Sequence, residues 1–454
     1  MADKETDSVA EVSDDLEQSF WELMGDEAKQ GLPELAAKQR EEFELLRDGA
    51  SSGISGTFGK PTIFEAPGRD IASTPANIGI EADPEAWAQD AAIQDNSRLG
   101  KVDAVPLKFE EAFGRLDEDG DGIISQHEIE VAMSNPAITG STAQLVEVLK
   151  IYREDLRGLS NDEFGPETGI SREDMKAFEG LLKKDREHRS DEENALVDGM
   201  QKRLNHSRAV LDNVERHAFP SLDHPEENIK PEAVRQGCYG DCYFIASVAA
   251  FANTAEGKQA IKNMIKVNSD GTYTVTFPGD PDNPVTVSAP TDSELSYYTE
   301  GTENGLWPAI LEKAYGTYTD RLNIISEEGI EEGSNSGAAM KLLTGKDVKT
   351  DSISDSRSSI DETDRKLTAA VRNGKPMTAG IDHWAHHDPG LQNSHRYSVL
   401  DYDPTTKMVT VRNPNGYNEL EDKDGNILDD HHDGIFKMPL DQFCRNFSRV
   451  YYGQ

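Results

Sequence analysis

Cysteine is scarce in this chain: only three of its 454 residues are cysteines. Three cysteines cannot build a disulfide framework, and such scarcity is typical of a reducing compartment. Long apolar runs are lacking as well, since no stretch approaches the roughly 20 apolar residues that a membrane-spanning helix needs. The N-terminal segment MADKETDSVAEVSDD also lacks the apolar core of a secretory signal. We therefore expect a cytoplasmic protein without a membrane span.

Positive charge is in short supply too. The chain has 46 Lys and Arg against 85 Asp and Glu, which gives a formal net charge of −39. Binding to nucleic acid or to an anionic membrane requires clustered basic residues, so we predict no nucleic-acid partner. Residues 1–50 contain 15 acidic and 5 basic residues, and the chain up to residue 103 is rich in Gly, Ser and Pro. This composition predicts a poorly ordered acidic tail over 1–103.

The remaining chain falls into three parts by its apolar pattern. Apolar residues at helical spacing predict a helical module over 104–187, and a charged but periodic stretch predicts a linker helix over 188–226. From 227 to 454 the composition becomes globular, with an apolar helix (CYFIASVAAFA) before short segments rich in β-branched residues. Two of these segments, YSVLDYD and MVTVRNP, flank a turn signal and predict an antiparallel hairpin. Helices followed by strands indicate an α+β domain.

Residues 117–128 (DEDGDGIISQHE) combine regularly spaced oxygen ligands with Gly122, where the chain must turn sharply. Calcium needs about six to eight hard oxygen ligands in a flexible cage, and this spacing supplies them. The segment resembles the calcium loop of an EF-hand. The resemblance implies Ca²⁺ as a cofactor, with ligands from Asp117, Asp119, Asp121, Ile123, Ser125 and Glu128. The alternative is an Asp- and Gly-rich turn that holds no ion.

A partner loop is expected near residues 161–174, because EF-hands usually pair. Its centre, Gly-Ile-Ser, repeats that of the first loop, but Asp174 stands where the first loop has Glu128. Gly165 falls at a ligand position and has no side chain to offer. We predict a structural pseudo-partner that binds calcium weakly or not at all.

Cys242 begins the apolar helix, directly after a Gly-Asp pair that breaks the chain. A cysteine at a helix N-terminus feels the positive end of the helix dipole, so we expect a lowered thiol pKa and a thiolate. Gln236 lies upstream and can donate an amide hydrogen to an oxyanion together with the backbone N–H of Cys242. Taken alone, Cys242 fits a small buried apolar residue better than a nucleophile.

His395 and Asn413 lie downstream, each at the edge of a predicted strand. The separation is 153 residues from Cys242 to His395 and 18 from His395 to Asn413. That order and scale fit a papain-like Cys–His–Asn constellation, in which a thiolate attacks, an imidazole transfers protons and an amide orients the imidazole. The three residues together predict acyl transfer through a thioester.

The chain over about 227–452 resembles the catalytic core of calpains, the calcium-dependent cysteine proteases. The resemblance rests on QGCYGDC at 236–242, WPAILEKAY at 307–315, HRYSV at 395–399 and RNP at 412–414. The implied fold class is α+β: a papain-like two-lobe cysteine protease core, preceded by an all-α EF-hand module and the largely disordered acidic tail. The implied function is a calcium-dependent or calcium-binding cysteine endopeptidase acting on protein or peptide substrates. Its expected catalytic residues are Cys242, His395, Asn413 and Gln236.

Two positions depart from the calpain pattern. Tyr243 follows the expected nucleophile, and Asn415 lies two places after Asn413, where many relatives have Trp at both positions. The second Trp shields the His–Asn hydrogen bond from water. Its replacement leaves open an alternative, a catalytically weak or inactive calcium-binding scaffold with a peptide-binding protease-like domain, although the intact Cys, His, Asn and Gln argue against it. Acyl transfer to an amine is a third possibility, because the same triad chemistry serves it.

Overall fold

A computed structural model describes residues 109–160, 169–221, 223–321, 336–383, 387–417 and 433–454. The predicted acidic tail over 1–103 and the first ligand positions of the predicted second calcium loop lie outside these ranges. All described residues belong to one compact unit, Ile71–Gln454. Within them, no helix combines the length and the apolar character required to cross a membrane.

The first part of the described chain is a helical module built from two helix–loop–helix halves. A two-stranded antiparallel pairing joins the two loops, with Ile124 opposite Ile170. Both isoleucines are fully buried, so the pairing covers part of the apolar core of the module. Its elements are α1 (Phe109–Leu116), β1 (Ile123–Ile124), α2 (Gln126–Met133), α3 (Gly140–Ile151), α4 (Arg153–Leu156), β2 (Ile170–Ser171) and α5 (Arg172–Lys183).

The charged stretch that was predicted as a linker forms one long helix, α6 (Asp191–Asn213), whose start is fixed by a reciprocal capping box between Ser190 and Glu193. It is more than a connector, because one face is buried. Arg203 on that face is fully buried, forms an ion pair with Glu147 of α3, and also donates to the Ser296 carbonyl. Part of the charge on this helix is therefore buried, which sequence composition alone does not show.

A helical layer follows, organised around α7 (Cys242–Ala252), every residue of which is buried. A helix that is apolar on all sides is stable only when other elements surround it. Here the surroundings include a short antiparallel sheet in the order β3-β4-β5. The elements of this layer are α7, α8 (Ala255–Met264), β3 (Ile265–Val267), β4 (Tyr273–Val275), β5 (Val285–Val287), α9 (Asp292–Tyr297), α10 (Trp307–Arg321) and α11 (Ser336–Thr344).

A six-stranded antiparallel sheet in the order β10-β9-β8-β7-β11-β6 forms the remaining layer. The predicted hairpin is confirmed, since β8 and β9 pair antiparallel across a turn. The sheet has a core of its own, to which two helices contribute. Its elements are β6 (Val348–Ser352), α12 (Arg357–Arg372), β7 (Met377–Ile381), β8 (His395–Asp403), β9 (Met408–Arg412), β10 (Ile435–Pro439), α13 (Leu440–Asn446) and β11 (Arg449–Gly453).

Helix α7 packs along strand β8, and two hydrogen bonds fix their register. Ser398 Oγ donates to the Ala246 carbonyl at 2.8 Å, and Asn253 Nδ2 donates to the Leu400 carbonyl at 2.7 Å. The first residues of the two elements, Cys242 and His395, therefore lie at the same end of this interface.

We predict that Arg203→Ala destabilises the fold by roughly 3–5 kcal/mol, because it leaves the Glu147 carboxylate buried without its cation. Urea unfolding at neutral pH measures the change in the free energy of unfolding. Lys202→Ala, an exposed neighbour on the same helix, is the matched control and should change that free energy by less than about 0.5 kcal/mol. Equal effects of the two substitutions would contradict the structural role of the buried ion pair.

Candidate active site

The sulfur of Cys242 lies at the start of strand β8. Cys242 is the first residue of α7 and is 7% exposed. Its sulfur accepts a hydrogen bond from the backbone N–H of Arg396, the residue that follows His395. The sulfur of Cys242 thus lies beside the start of a strand that begins 153 positions later in the chain.

His395 and Asn413 are in direct contact. The His395 Nε2 atom lies 3.0 Å from the Asn413 Oδ1 atom. Asn413 Oδ1 also accepts the backbone N–H of Asn415 at 3.1 Å. Because an amide oxygen only accepts hydrogen bonds, Nε2 carries the ring proton and Nδ1 is the basic nitrogen. This tautomer is the one that a general base facing a thiol requires.

The hairpin positions both of these side chains. His395 is the first residue of β8, where it pairs with Ile381 of β7, and Asn413 directly follows β9. The backbone N–H of Asn413 donates to the Gly434 carbonyl at 2.9 Å. The strand ladder and this bond hold the loop after β9 against the start of β8.

Gln236 belongs to the same region, but its amide is already partly engaged. Its backbone N–H donates to the Pro414 carbonyl at 2.9 Å, which ties it to the residue after Asn413. Its side-chain nitrogen donates to the Tyr239 carbonyl at 2.7 Å. One of its two amide hydrogens is therefore committed to the chain.

The expected lowering of the thiol pKa is wrong for this structure. Burial raises the pKa of Cys242 to about 11, and the opposing effects of the Arg396 charge and the Arg396 and Tyr243 backbone N–H groups are smaller. Burial likewise lowers the pKa of His395 to about 4, although its bond to Asn413 acts in the other direction. The helix N-terminus is present, but desolvation outweighs it. Both shifts therefore favour the uncharged forms of these two side chains.

The His–Asn hydrogen bond is shielded although Asn415 replaces Trp. Asn413 is completely buried and His395 is 8% exposed. The ring of Tyr397 meets the His395 ring edge-on, with the centroids 5.0 Å apart. Water is excluded from this bond by the sheet core rather than by a neighbouring indole, so the replacement does not expose the bond.

The candidate calcium loop brings three of its predicted ligands together. Carboxylate oxygens of Asp117, Asp119 and Glu128 all lie within 4.8 Å of one another, a spacing that suits a hard divalent cation. Glu128 is held in place by the backbone N–H groups of Glu118 at 2.7 Å and Ser125 at 2.8 Å. Burial raises the pKa of Glu128, but these and other hydrogen bonds outweigh it and the net shift is downward.

The other predicted ligands are engaged within the loop. Asp121 accepts the backbone N–H of Ile123 at 2.8 Å, and the Ser125 hydroxyl donates to Glu128 at 2.8 Å. Gly122 adopts a φ of 88°, as the predicted sharp turn requires. The donor set therefore fits calcium, with Asp117, Asp119 and Glu128 already clustered.

Asp174 plays in the second loop the part that Glu128 plays in the first. Its carboxylate accepts the backbone N–H groups of Ser160 at 2.9 Å and Ser171 at 3.0 Å. The two loops are thus built alike at their closing residue and pair through β1 and β2. Weak or absent calcium binding by the second loop stays a prediction.

Comparison with known proteins adds one positive result. The model of the calpain family cysteine protease matches residues 184–453. This match begins upstream of the boundary at 227 that composition predicted, and it includes helix α6. Among curated proteins, no significant match is found.

The neutral His395 predicts a specific dependence of stability on pH. Its pKa is about 4 in the folded state and 6.5 ordinarily, so its contribution is fully present above pH 6.5 and is lost as the pH falls toward 4. We expect His395→Gln to remove about 2 kcal/mol of the stability difference between pH 7.5 and pH 5. Urea unfolding at both pH values tests this. The exposed His188→Gln is the control, and an unchanged difference in His395→Gln would contradict the buried neutral imidazole.

Proposed function

The chain belongs to the calpain family of cysteine proteases, and from this premise we propose that it hydrolyses peptide bonds in proteins with Cys242 as the nucleophile. The observation that carries the proposal is the joint placement of the sulfur beside the start of β8 and of His395 against Asn413. Three residue types that perform acyl transfer converge at one end of the α7–β8 interface.

The proposed reaction begins with proton transfer from the Cys242 thiol to Nδ1 of His395. The thiolate then attacks the peptide carbonyl, and the imidazolium donates its proton to the departing amine. Water hydrolyses the resulting thioester, with His395 acting first as base and then as acid. Asn413 holds Nε2–H throughout and so keeps Nδ1 directed at the reacting groups.

The proposed oxyanion donors are the Cys242 backbone N–H and the second amide hydrogen of Gln236. One such donor is worth about 10²–10³ in rate. The bond from the Gln236 amide to the Tyr239 carbonyl supports this role, because it fixes the plane of the amide before substrate binds. Preorganised donors cost no reorganisation during the reaction.

We further propose that calcium regulates the enzyme through the helical module, because module and oxyanion segment share one apolar core. Cys238, in the segment between Gln236 and Cys242, is buried in the cluster that contains the core of the module. Its backbone N–H donates to the Tyr297 carbonyl at 2.7 Å. The ammonium of Lys150, on α3, lies 5.2 Å from the centre of the Tyr297 ring. A shift of α3 would therefore also displace the segment that holds the proposed oxyanion donors.

The neutral state of Cys242 and His395 favours one alternative, a calcium-binding scaffold whose protease-like domain binds peptides without cleaving them. A thiol with a pKa of about 11 is a poor nucleophile at neutral pH. Covalent labelling by a peptide epoxide or vinyl sulfone separates the two functions, since a scaffold would not be labelled at Cys242. Incorporation of an added amine into substrate would instead indicate acyl transfer to amines.

We predict that Cys242→Ala and His395→Ala abolish casein cleavage, because each removes a group that forms or breaks a bond. Casein hydrolysis with and without calcium, together with thermal unfolding of each variant, is the measurement. Cys444→Ala, a buried cysteine in α13 of the sheet core, is the matched control and should cleave normally. Casein cleavage that persists in Cys242→Ala would refute the assignment of the nucleophile.

We predict that Glu128→Gln weakens calcium binding at least tenfold, about 1.4 kcal/mol, because the amide cannot bind the ion through two anionic oxygens. Calorimetry measures the calcium affinity, and casein hydrolysis over a calcium titration measures how activity depends on calcium. The calcium concentration for half-maximal binding and that for half-maximal activity should rise together. Glu130→Gln on the same helix is the control. Weakened binding with an unchanged activity curve would mean that the ion only stabilises the module, and two equally tight sites would contradict the pseudo-partner prediction.

A further inference from the structure

Asp241 occupies the N-cap position of α7, directly before Cys242, yet its side chain does not cap the helix. An N-cap Asp ordinarily accepts the backbone N–H two or three residues further on. Here only the backbone carbonyl of Asp241 is used, by Phe244 and Ile245, and the residue is 2% exposed. Its carboxyl instead contacts the carboxyl of Glu312 on α10 within hydrogen-bond distance.

The two carboxyls are not equivalent, because only Glu312 accepts a backbone N–H from another residue. The carboxyl of Asp241 has only a minor interaction with its own N–H, which donates to the Tyr239 carbonyl at 2.9 Å. Thr299 donates its backbone N–H to Glu312 Oε2 at 2.6 Å. The other Glu312 oxygen and both Asp241 oxygens are buried without a donor in the described part of the chain. Two buried carboxylates in contact cannot both be ionised, so a proton must lie between them. The carboxyl with the N–H donor is the better anion, and the one without a donor is the better acid.

Other buried carboxylates nearby each have a basic side chain as partner. Glu147 pairs with Arg203, Glu300 with His206, and Glu294 with Lys313 at 2.7 Å. Lys313 follows Glu312 in the chain, but its ammonium is committed to Glu294 and to the Ser288 hydroxyl at 3.0 Å.

Apart from Lys313, which lines a cavity together with Glu312 and Glu294, the titratable groups of the described residues that face the pair include no cation. From α7, α10 and the segment beginning with α9, these groups are Cys242, Tyr243, Tyr315, Glu294 and Tyr298. A cavity beside Glu312 measures about 10 Å³. This space is no larger than one water requires, so solvent cannot stabilise two charges there.

We propose that Asp241 is a neutral acid that donates its proton to the Glu312 carboxylate, and that this bond makes both of them positioning residues for Cys242. The bond attaches the first turn of α7 to α10. It also keeps the negative charge on Glu312, away from the residue adjacent to the sulfur. Burial raises the pKa of Asp241 well above its usual range and that of Glu312 to about 7, which agrees with a shared proton.

The consequence for Cys242 follows from the sign of the charge. An anion at Asp241 raises the thiol pKa of Cys242, because it disfavours a second negative charge beside it. The proton on Asp241 removes that penalty. Since the role concerns Cys242 as nucleophile, it rests on the proposed function, but thiol reactivity without substrate tests it whether or not the chain cleaves proteins.

The two isosteric amide substitutions should differ in their effects. Asp241→Asn keeps a neutral donor toward the Glu312 carboxylate, so the pH midpoint of Cys242 alkylation should stay within about 0.3 of wild type. Glu312→Gln places an amide donor beside Asp241 and stabilises it as an anion. The pH midpoint of Cys242 alkylation should then rise by roughly one unit. At pH values below that midpoint, alkylation should be about tenfold slower than in the wild type.

The rate of iodoacetamide labelling at Cys242 is measured by peptide mass spectrometry over a pH series, with Cys238 and Cys444 as internal references. Thermal unfolding verifies that each variant is folded. An unchanged midpoint in Glu312→Gln, or equal shifts in both variants, would overturn the proposal.

Infrared spectroscopy gives a second test that needs no Glu312 variant. At about pH 8 the wild type should show the carbonyl band of a protonated carboxylic acid, and Asp241→Asn should lack it. The same band in both proteins would show that the proton is not on Asp241. A Glu312→Gln protein that failed to fold would leave this measurement decisive.

Discussion

The packing of helix α7 against strand β8 is the interaction on which the site depends. Neither element carries a complete chemistry, and Cys242 and His395 meet only because both begin at the same end of that interface. The bonds from Ser398 to Ala246 and from Asn253 to Leu400 fix the register. A slip of one residue along the strand would turn His395 to the opposite face of the sheet. The side chains of the interface are therefore as much a condition of the proposed chemistry as the reacting groups.

The sequence order of Cys242, His395 and Asn413 suggests that they belong to one site, and the structure shows the contact of His395 with Asn413; their catalytic roles stay predictions. The hairpin of β8 and β9 could be predicted as well, since its alternation and turn are local signals. The direction of the pKa shift of Cys242 could not be predicted from the sequence. A helix N-terminus is visible in the sequence, whereas the desolvation that reverses its effect on Cys242 comes from residues far away in the chain.

Long-range partners explain the other differences from the sequence-based expectations. A charged, periodic stretch predicts an exposed helix. Arg203 is nevertheless buried, because Glu147 and the Ser296 carbonyl, which belong to other elements, accept its hydrogen bonds. From its neighbours in the sequence, Asp241 is predicted only to precede the start of a helix. Its contact with Glu312 joins positions 71 apart, and no periodicity or spacing rule encodes such a pair.

Burial at the end of the α7–β8 interface favours the uncharged forms of Cys242 and His395, which matters for the proposed reaction and for its proposed regulation. Moving a proton from a thiol of pKa about 11 to an imidazole of pKa about 4 costs roughly 10 kcal/mol. The attraction between the ions formed, about 4 kcal/mol at contact near a protein surface, offsets part of this cost. For the proposed reaction, the remaining cost would have to be lowered by a site that is more open or more polar than this one.

A ligand can shift such an equilibrium only by its difference in affinity for the two states. A shift of about 5.5 kcal/mol requires a difference of roughly 10⁴-fold. Calcium binding at the loop of the helical module is a source of free energy on that scale only if the module binds the ion far better in the open arrangement. In the proposed regulation, the shared core around Cys238 and Tyr297 would connect the module with the segment before Cys242.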